Sequence, residues 1–336
     1  MSKASVAAGY ASALVQFAAS KGADAGALCA AAGVAPSMLA DFDARVPMER
    51  YKALIRAAAS LTGDPAFALN YGAETDFRAF SVVGLIAHAS ATMAEALAQM
   101  NRYSRLVIEI DGVVEGPRFA NVMRDGGMWL DDLRENPNDF PELTETTWSR
   151  FIVGSRRNFP DHVFALEAHV THAAPAHRDA YERIWRVPVT FGAARNAIRM
   201  NPVWPTLRIH TENRYAFGVL TGRAETLLNA LRQSDSVKSA VEKNLLAVLH
   251  TGDVSIDRIA PVLGMSRQTL YRRLKSEGVT YQSVLDDLRR RMALDYLGAR
   301  RVSVNETAYL VGFSDPAAFS RAFKRWTGRS PREARR

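Results

Sequence analysis

Cysteine is nearly absent. Cys29, in "GALCAAAG", is the only one in 336 residues. A lone thiol forms no internal disulfide and lacks the companions of a thiolate metal site. Long apolar runs are missing too, since none approaches the roughly 20 residues a membrane-spanning helix needs. The opening "MSKASVAAGYASALVQFAASKG" has an early lysine and many alanines, as a secretion signal would. Ser12 and Gln16 interrupt its apolar stretch, however, and Ala8, Leu14, Val15 and Phe17 fit one side of an ordinary helix. Phosphate-binding loops, dinucleotide fingerprints and the G-x-S-x-G motif do not occur. These gaps point away from an enzyme, a cofactor, a bound metal and a membrane, and toward a cytoplasmic protein.

An acidic counterpart to the basic residues is lacking in one region only. From Ser236 to Arg336 there are 19 Lys and Arg against 10 Asp and Glu, whereas the first 235 residues hold 24 against 25. The whole formal excess of +8 therefore sits in the last hundred residues. Such asymmetry suggests a polyanionic partner for one domain, although a merely solvated basic face has the same charge count. The length suffices for two domains with a sizeable core each, and 48% hydrophobic against 23% charged residues is ordinary for a globular protein.

Residues 4 to about 105 read mostly as helices, among them "SALVQFAAS", "MERYKALIRAAASL" after Pro47, and "TMAEALAQMNRYSRLV" with Thr92 as cap and Glu95 three positions on. From 106 the period changes. "RLVIEID", "PRFANVMRD", "VPVTFGA" and "NAIRM" read as strands. "HVFALEAHV" alternates, with Phe164, Leu166, Ala168 and Val170 on one face. Helices are expected at "LTETTWSRFIVGSRR" and "HRDAYERIW". The first domain, 1–232, is thus α+β: helices followed by a mixed region of helices and antiparallel strands. "RQSDS" supplies a linker at 233–236, and 237–336 reads as an all-α domain.

That second domain repeats itself. "SIDRIAPVLGMSRQTLYRRLKSEG" and "SVNETAYLVGFSDPAAFSRAFKRWTG" share a short helix with Ala260 or Ala308, a turn at Gly264 or Gly312, and a second helix. The glycines suit a turn that needs positive φ, and Ser266 and Ser314 are expected N-caps. Ser303 with Glu306 forms a capping box, and Pro316 is tolerated in a first turn. Leu270 and Leu274, or Phe319, Ala322, Phe323 and Trp326, face inward. Gln268, Tyr271, Arg272 and Lys275 then face outward, as do Ala317, Ser320, Arg321 and Lys324, 49 positions later. This is a helix-turn-helix drawn twice, at 254–278 and 303–328. The helix "YQSVLDDLRRRMALDYLG" joins the copies, and its 18 residues span roughly 27 Å. With the widths of the units added, that length suits two major-groove segments roughly 34 Å apart.

These residues resemble the AraC/XylS-type transcription regulators. "SIDRIAPVLGMSRQTLYRRLK", the connecting helix and "VGFSDPAAFSRAFKRWTGRSPREAR" carry the likeness. "DFDARVPMERY" and "AYERIWRVPVTFGAARNAI" resemble the arabinose-binding-like effector and dimerisation domain of one branch of that family. The resemblance implies a ligand-responsive regulator, more often an activator, that binds promoter DNA as a homodimer and works with RNA polymerase. It places Arg267, Gln268, Tyr271 and Arg272, then Ala317, Ser320 and Arg321, at base-reading positions. Arginine grips guanine with two hydrogen bonds, Gln suits adenine, and Ala meets a thymine methyl. Ser266, Lys275, Ser314, Lys324 and Arg325 are placed on phosphates, which set affinity rather than sequence preference. Two departures stand out. Alanines make the second helix a poor direct reader, and "SPREARR" lacks the aromatic residue often found after Pro331.

Other constellations are weaker. His169, His172 and His177 tempt a metal reading, but no ligand set completes them, and Asp131, Asp132, Glu142 and Glu145 read as surface carboxylates. Trp129, Trp148, Phe151, Trp185 and Trp204 read as core, and no effector-pocket residue is assigned. Two alternatives remain. One is a DNA-repair alkyl-transfer protein, which would need Cys29 as an activated thiolate. The other is a regulator whose first domain only dimerises.

Overall fold

The computed structural model describes residues 4–110, 117–209, 213–234, 236–299 and 302–335, with backbone alone at 232–234 and 299. It divides into two units between Leu228 and Asn229.

In the first unit, β1 (Ser5–Ala7) leads into α1 (Ala8–Ser20), followed by α2 (Ala25–Ala31), β2 (Arg45–Pro47), α3 (Met48–Thr62) and α4 (Phe67–Glu74). Then come α5 (Val82–Ala89), α6 (Met93–Arg102), α7 (Ser104–Val107) and β3 (Ile108–Glu109). β1 is the middle strand of a small antiparallel sheet, paired with β2 and β3. Strands of two or three residues leave too short a pattern to be read in a sequence. The first three residues of "RLVIEID", Arg105 to Val107, are accordingly helical, in α7, and of its described residues Ile108 and Glu109 pair as expected. The one-sided reading of α1 also needs correction, because Ser12 and both flanks are buried. Its small residues let neighbours close in all round; a Cβ on Gly9 would stand 2.7 Å from the Phe80 carbonyl oxygen.

A second sheet follows, from β4 (Phe119–Arg124), β5 (Gly127–Asp132), α8 (Pro141–Asn158), β6 (Ala165–His169), α9 (Arg178–Trp185), β7 (Val189–Thr190) and β8 (Ala197–Met200). The strand order is β4-β5-β8-β6-β7, antiparallel throughout except for β6 with β7, so the α+β reading holds. The expected alternation in β6 fails at Leu166. The register against β8 slips between Ala165 and Glu167, and Leu166 turns outward, 42% exposed. A bulge of this kind leaves one residue unpaired, so Phe164, Ala168 and Val170 stay buried as expected, while Ala165 is buried in place of Leu166. Trp148, Trp185 and Trp204 are core residues here, Trp129 is also buried, and Phe151 is half-buried.

α10 (Arg214–Ser234) carries the division between units. The second unit continues with α11 (Val237–Val248), α12 (Ile256–Val262), α13 (Arg267–Ser276), α14 (Tyr281–Ala299), α15 (Val304–Leu310), α16 (Pro316–Thr327) and α17 (Pro331–Ala334). It is all-α, as its patterning required. Of the expected linker at 233–236, residue 235 and the side chains of 233 and 234 lie outside the described residues, while Ser236 caps α11 by accepting from Ser239 N–H. One apolar core runs through the unit, from Val241 and Leu245 through Leu270 and Leu288 to Phe319 and Phe323. Without an aromatic residue, α17 is held by buried Pro331 and a Ser330–Glu333 capping box.

Candidate nucleic-acid interface

The first helix-turn-helix is built by α12 and α13. Ile259 and Ala260 are buried, Gly264 turns the chain at φ +66°, and Met265 N–H returns to the Ala260 carbonyl. Ser266 then caps α13, accepting from Thr269 N–H at 3.2 Å. With Leu270 and Leu274 fully buried, the helical period leaves Gln268, Tyr271, Arg272 and Lys275 in solvent; Tyr271 is 56% exposed. Sequence reading missed what lies just past this helix. Both carboxylate oxygens of Glu277 accept backbone N–H groups at the start of α11, from Val237 at 2.7 Å and Lys238 at 2.9 Å. Forty positions separate these partners, so no local signal announces the contact.

In the second copy, α15 and α16 repeat the plan with one change. The expected Ser314 cap is wrong: Asp315 is the N-cap, accepting from Ala317 N–H at 2.9 Å and Ala318 N–H at 3.0 Å. Pro316 takes the first helical position, which moves the cap to the residue before it and accounts for the one-residue offset between copies. Those N–H groups hold the Asp315 carboxyl below its ordinary range. Gly312 lies at φ +77°, and a Cβ there would overlap the Leu249 carbonyl oxygen. Arg289 of α14 secures this turn, donating to the carbonyls of Val311 (3.1 Å) and Gly312 (2.9 Å) and lying 4.4 Å from the Phe313 ring centre. Burial pulls its guanidinium below the ordinary value.

The basic residues therefore divide by their partners. In "RRR", Arg289 is spent on carbonyls, Arg290 on Asp287 (3.3 Å) and Arg291 on Glu242 (2.9 Å). Arg267 faces Asp257 at 3.2 Å and Arg325 faces Asp286 at 3.3 Å, while Arg321 stands 3.9 Å from Asp315. Ser320 donates to the Pro316 carbonyl, and Ala317 is exposed. Among the described residues, Arg272, Lys275 and Lys324 have no ion pair or side-chain hydrogen bond, and all three are exposed on α13 and α16. Uncompensated cations in this arrangement suit the phosphates and base edges of a groove.

Comparison with known proteins settles the class. Residues 22–208 match the N-terminal arabinose-binding domain of AraC transcription regulators, and residues 259–336 match a helix-turn-helix domain. The chain belongs to the AraC family of transcription regulators. It is 28% identical over 330 residues to the ornithine utilization regulator of Pseudomonas aeruginosa, covering 97% of this chain and 95% of that one. The virulence regulon transcriptional activator VirF of Shigella flexneri is 30% identical over 108 residues, 32% of this chain and 39% of VirF. The crystal structure of the regulator CdpR from Pseudomonas aeruginosa aligns over 92% of this chain and 96% of its own, with 22% identity and a TM-score of 0.42.

Other candidates in this AraC-family regulator have structural employment. Asp131, Asp132 and Glu145 are buried, not on the surface as expected. Arginines of the same hairpin and its flanks neutralise the two aspartates: Asp131 meets Arg124 at 3.0 Å, and Asp132 meets Arg134 at 2.8 Å and Arg118 at 3.3 Å. Glu142 pairs with Arg56 at 2.8 Å. His169 meets Glu167, and His177 and Tyr181 both meet Glu145. Cys29 is buried, and burial pushes its thiol up, the reverse of what alkyl transfer needs. No helix among the described residues is long and apolar enough to cross a membrane.

Proposed function

We propose that this regulator reads adjacent major-groove segments of a promoter with α13 and α16, and that a small molecule held by the first unit controls it. Gln268, Tyr271 and Arg272 are the principal base readers. Arg267 adjoins them, and Ala317, Ser320 and Arg321 make a second, shape-dependent contact. Lys275 and Lys324 take phosphates, with Ser266, Ser314 and Arg325 beside them. The observation that carries this reading is the set of exposed, unpaired cations on two helices sharing one core. α14, 19 residues and so about 28 Å long, spaces the copies.

Control by a metabolite is supported by the full-length likeness to a regulator named for ornithine utilization and by a chamber of about 250 Å³ in the first unit. Activation follows the named role of VirF, and an activator bound at a promoter acts on RNA polymerase. The homodimer would use α10, which leaves Tyr215 (84% exposed) and Val219 (56%) in solvent one turn apart.

The test is selection of duplexes by the full chain from a random pool, with and without a metabolite extract. A two-part motif about one helical repeat apart is expected, with enrichment that changes on adding extract. No enriched motif would end the sequence-reading proposal. Enrichment indifferent to every extract would favour a first domain that only dimerises.

A further inference from the structure

The chamber lies among α4, α5, α6 and α8, and its charge is lopsided. Among the described residues, Arg78, Arg150 and Arg157 line it against one acid, Asp76, which Arg78 already neutralises. Phe77, Met100, Phe151, Phe159 and Ile209 supply apolar wall.

Arg150 is the unusual member. No carboxylate pairs with it among the described residues. Its guanidinium donates to the Tyr10 hydroxyl and, at 3.4 Å, to Thr75 Oγ1, while its buried Nε has no hydrogen-bond partner there. Four rings surround it instead, those of Tyr10, Tyr71, Phe77 and Phe80, with centres 5.1–5.6 Å away. Ring faces attract a cation but do not replace an anion, and a buried charge is costly until paired. Arg157, further along the wall, donates to the Ala73 carbonyl.

Taking the first unit as an effector domain, we propose that the chamber binds a small organic carboxylate with an apolar, uncharged body, its carboxylate against Arg150. The planar anion takes the Nη2–H held at 3.4 Å and, once a ring beside it moves aside, the buried Nε–H that lacks a partner, the two-point grip that arginine offers a carboxylate. The body lies along Phe151 and Met100. A cationic amino acid such as ornithine is turned away, because a side-chain ammonium would meet arginines and find Asp76, the one acid among the described lining residues, already paired. Specificity thus differs from what the name of the ornithine utilization regulator suggests.

The test is thermal shift and calorimetry on the full chain with hexanoate, phenylacetate, phenylacetamide, phenyl phosphate and ornithine. At least one carboxylate should raise Tm while phenylacetamide and ornithine do not. Arg150→Met should weaken that carboxylate roughly 10- to 100-fold, the worth of a charged hydrogen-bond pair, with partial recovery in Arg150→Lys. Should Arg150→Met fail to fold, Gly154→Leu serves instead. A Cβ at Gly154 meets nothing within 4 Å, so the added side chain enters the chamber it lines and should abolish binding. An equal shift with phenylacetamide, phenyl phosphate or ornithine, a shift that survives Gly154→Leu, or no shift with any probe overturns the proposal. Effector control is judged apart, by duplex affinity with the probe bound. A carboxylate that binds yet leaves duplex affinity unchanged would sink effector control and leave the chamber chemistry standing.

Discussion

Two neighbouring cations on α16 make the sharpest contrast among single residues. Lys324 is exposed with no partner among the described residues, whereas Arg325 already faces Asp286 at 3.3 Å. A phosphate contact releases counterions only where the cation was not neutralised beforehand, so Lys324→Ala should reduce the salt slope by about 1 and weaken all duplexes alike. Arg325→Ala should change the slope less; equal slopes, measured by fluorescence anisotropy from low to moderate salt, would show that the Asp286 pair opens on DNA. Arg272→Ala belongs to another class, and should cost about 1–3 kcal/mol on the selected site while relaxing preference at one base pair. Unchanged binding would remove α13 as the reader. The turn glycines also differ. Both need positive φ, for which alanine costs about 1–2 kcal/mol, and Gly264→Ala should lose little beyond that. Gly312→Ala must also push away the Leu249 carbonyl, so its Tm should fall further; equal losses would mean that the backbone yields there.

Among the helices, caps and turns were legible because their chemistry is local. Ser266 and the Ser303–Glu306 box act within three residues, and glycine at positive φ has few substitutes. Ser314 was misread because Pro316 moved the cap by one position, a subtlety with a measurable consequence. Asp315→Ala should lower the urea midpoint, while Ser314→Ala should be nearly silent in the same titration. A reversed order would return the cap to Ser314. Strands were harder. β6 showed its alternation plainly, and Phe164, Ala168 and Val170 are buried as expected, yet the unpaired Leu166 turns outward. Only the pairing with β8 reveals that.

At the scale of the whole molecule, buried ion pairs decide what the carboxylates do. Asp132 lies on β5, Arg118 just before β4 and Arg134 beyond β5, and none of their spacings foretells a buried cluster. Burial alone would raise the Asp132 carboxyl, but the two guanidiniums outweigh it and hold the group below its ordinary value. The pair therefore stabilises fully above the ordinary value of about 3.9, and that contribution is lost as pH falls through the lowered folded value. Asp132→Asn should cost about 3–5 kcal/mol at neutral pH, because it leaves buried cations unmatched, and should flatten the acid limb below about pH 4 in Tm measurements. An unchanged acid limb would assign that loss of stability to other groups.

Residue order alone was enough for the two-domain plan, the duplicated helix-turn-helix and the outward face of the second helix in each copy, since helical period, caps and charge balance act over a few positions. Folding in three dimensions chose which cations remain unpaired and surrounded Arg150 with rings instead of a carboxylate. It also sent Glu277 to the start of α11 and Arg289 to the turn before α16. Partners dozens of positions apart meet only when helices pack, and a linear pattern holds no record of that distance.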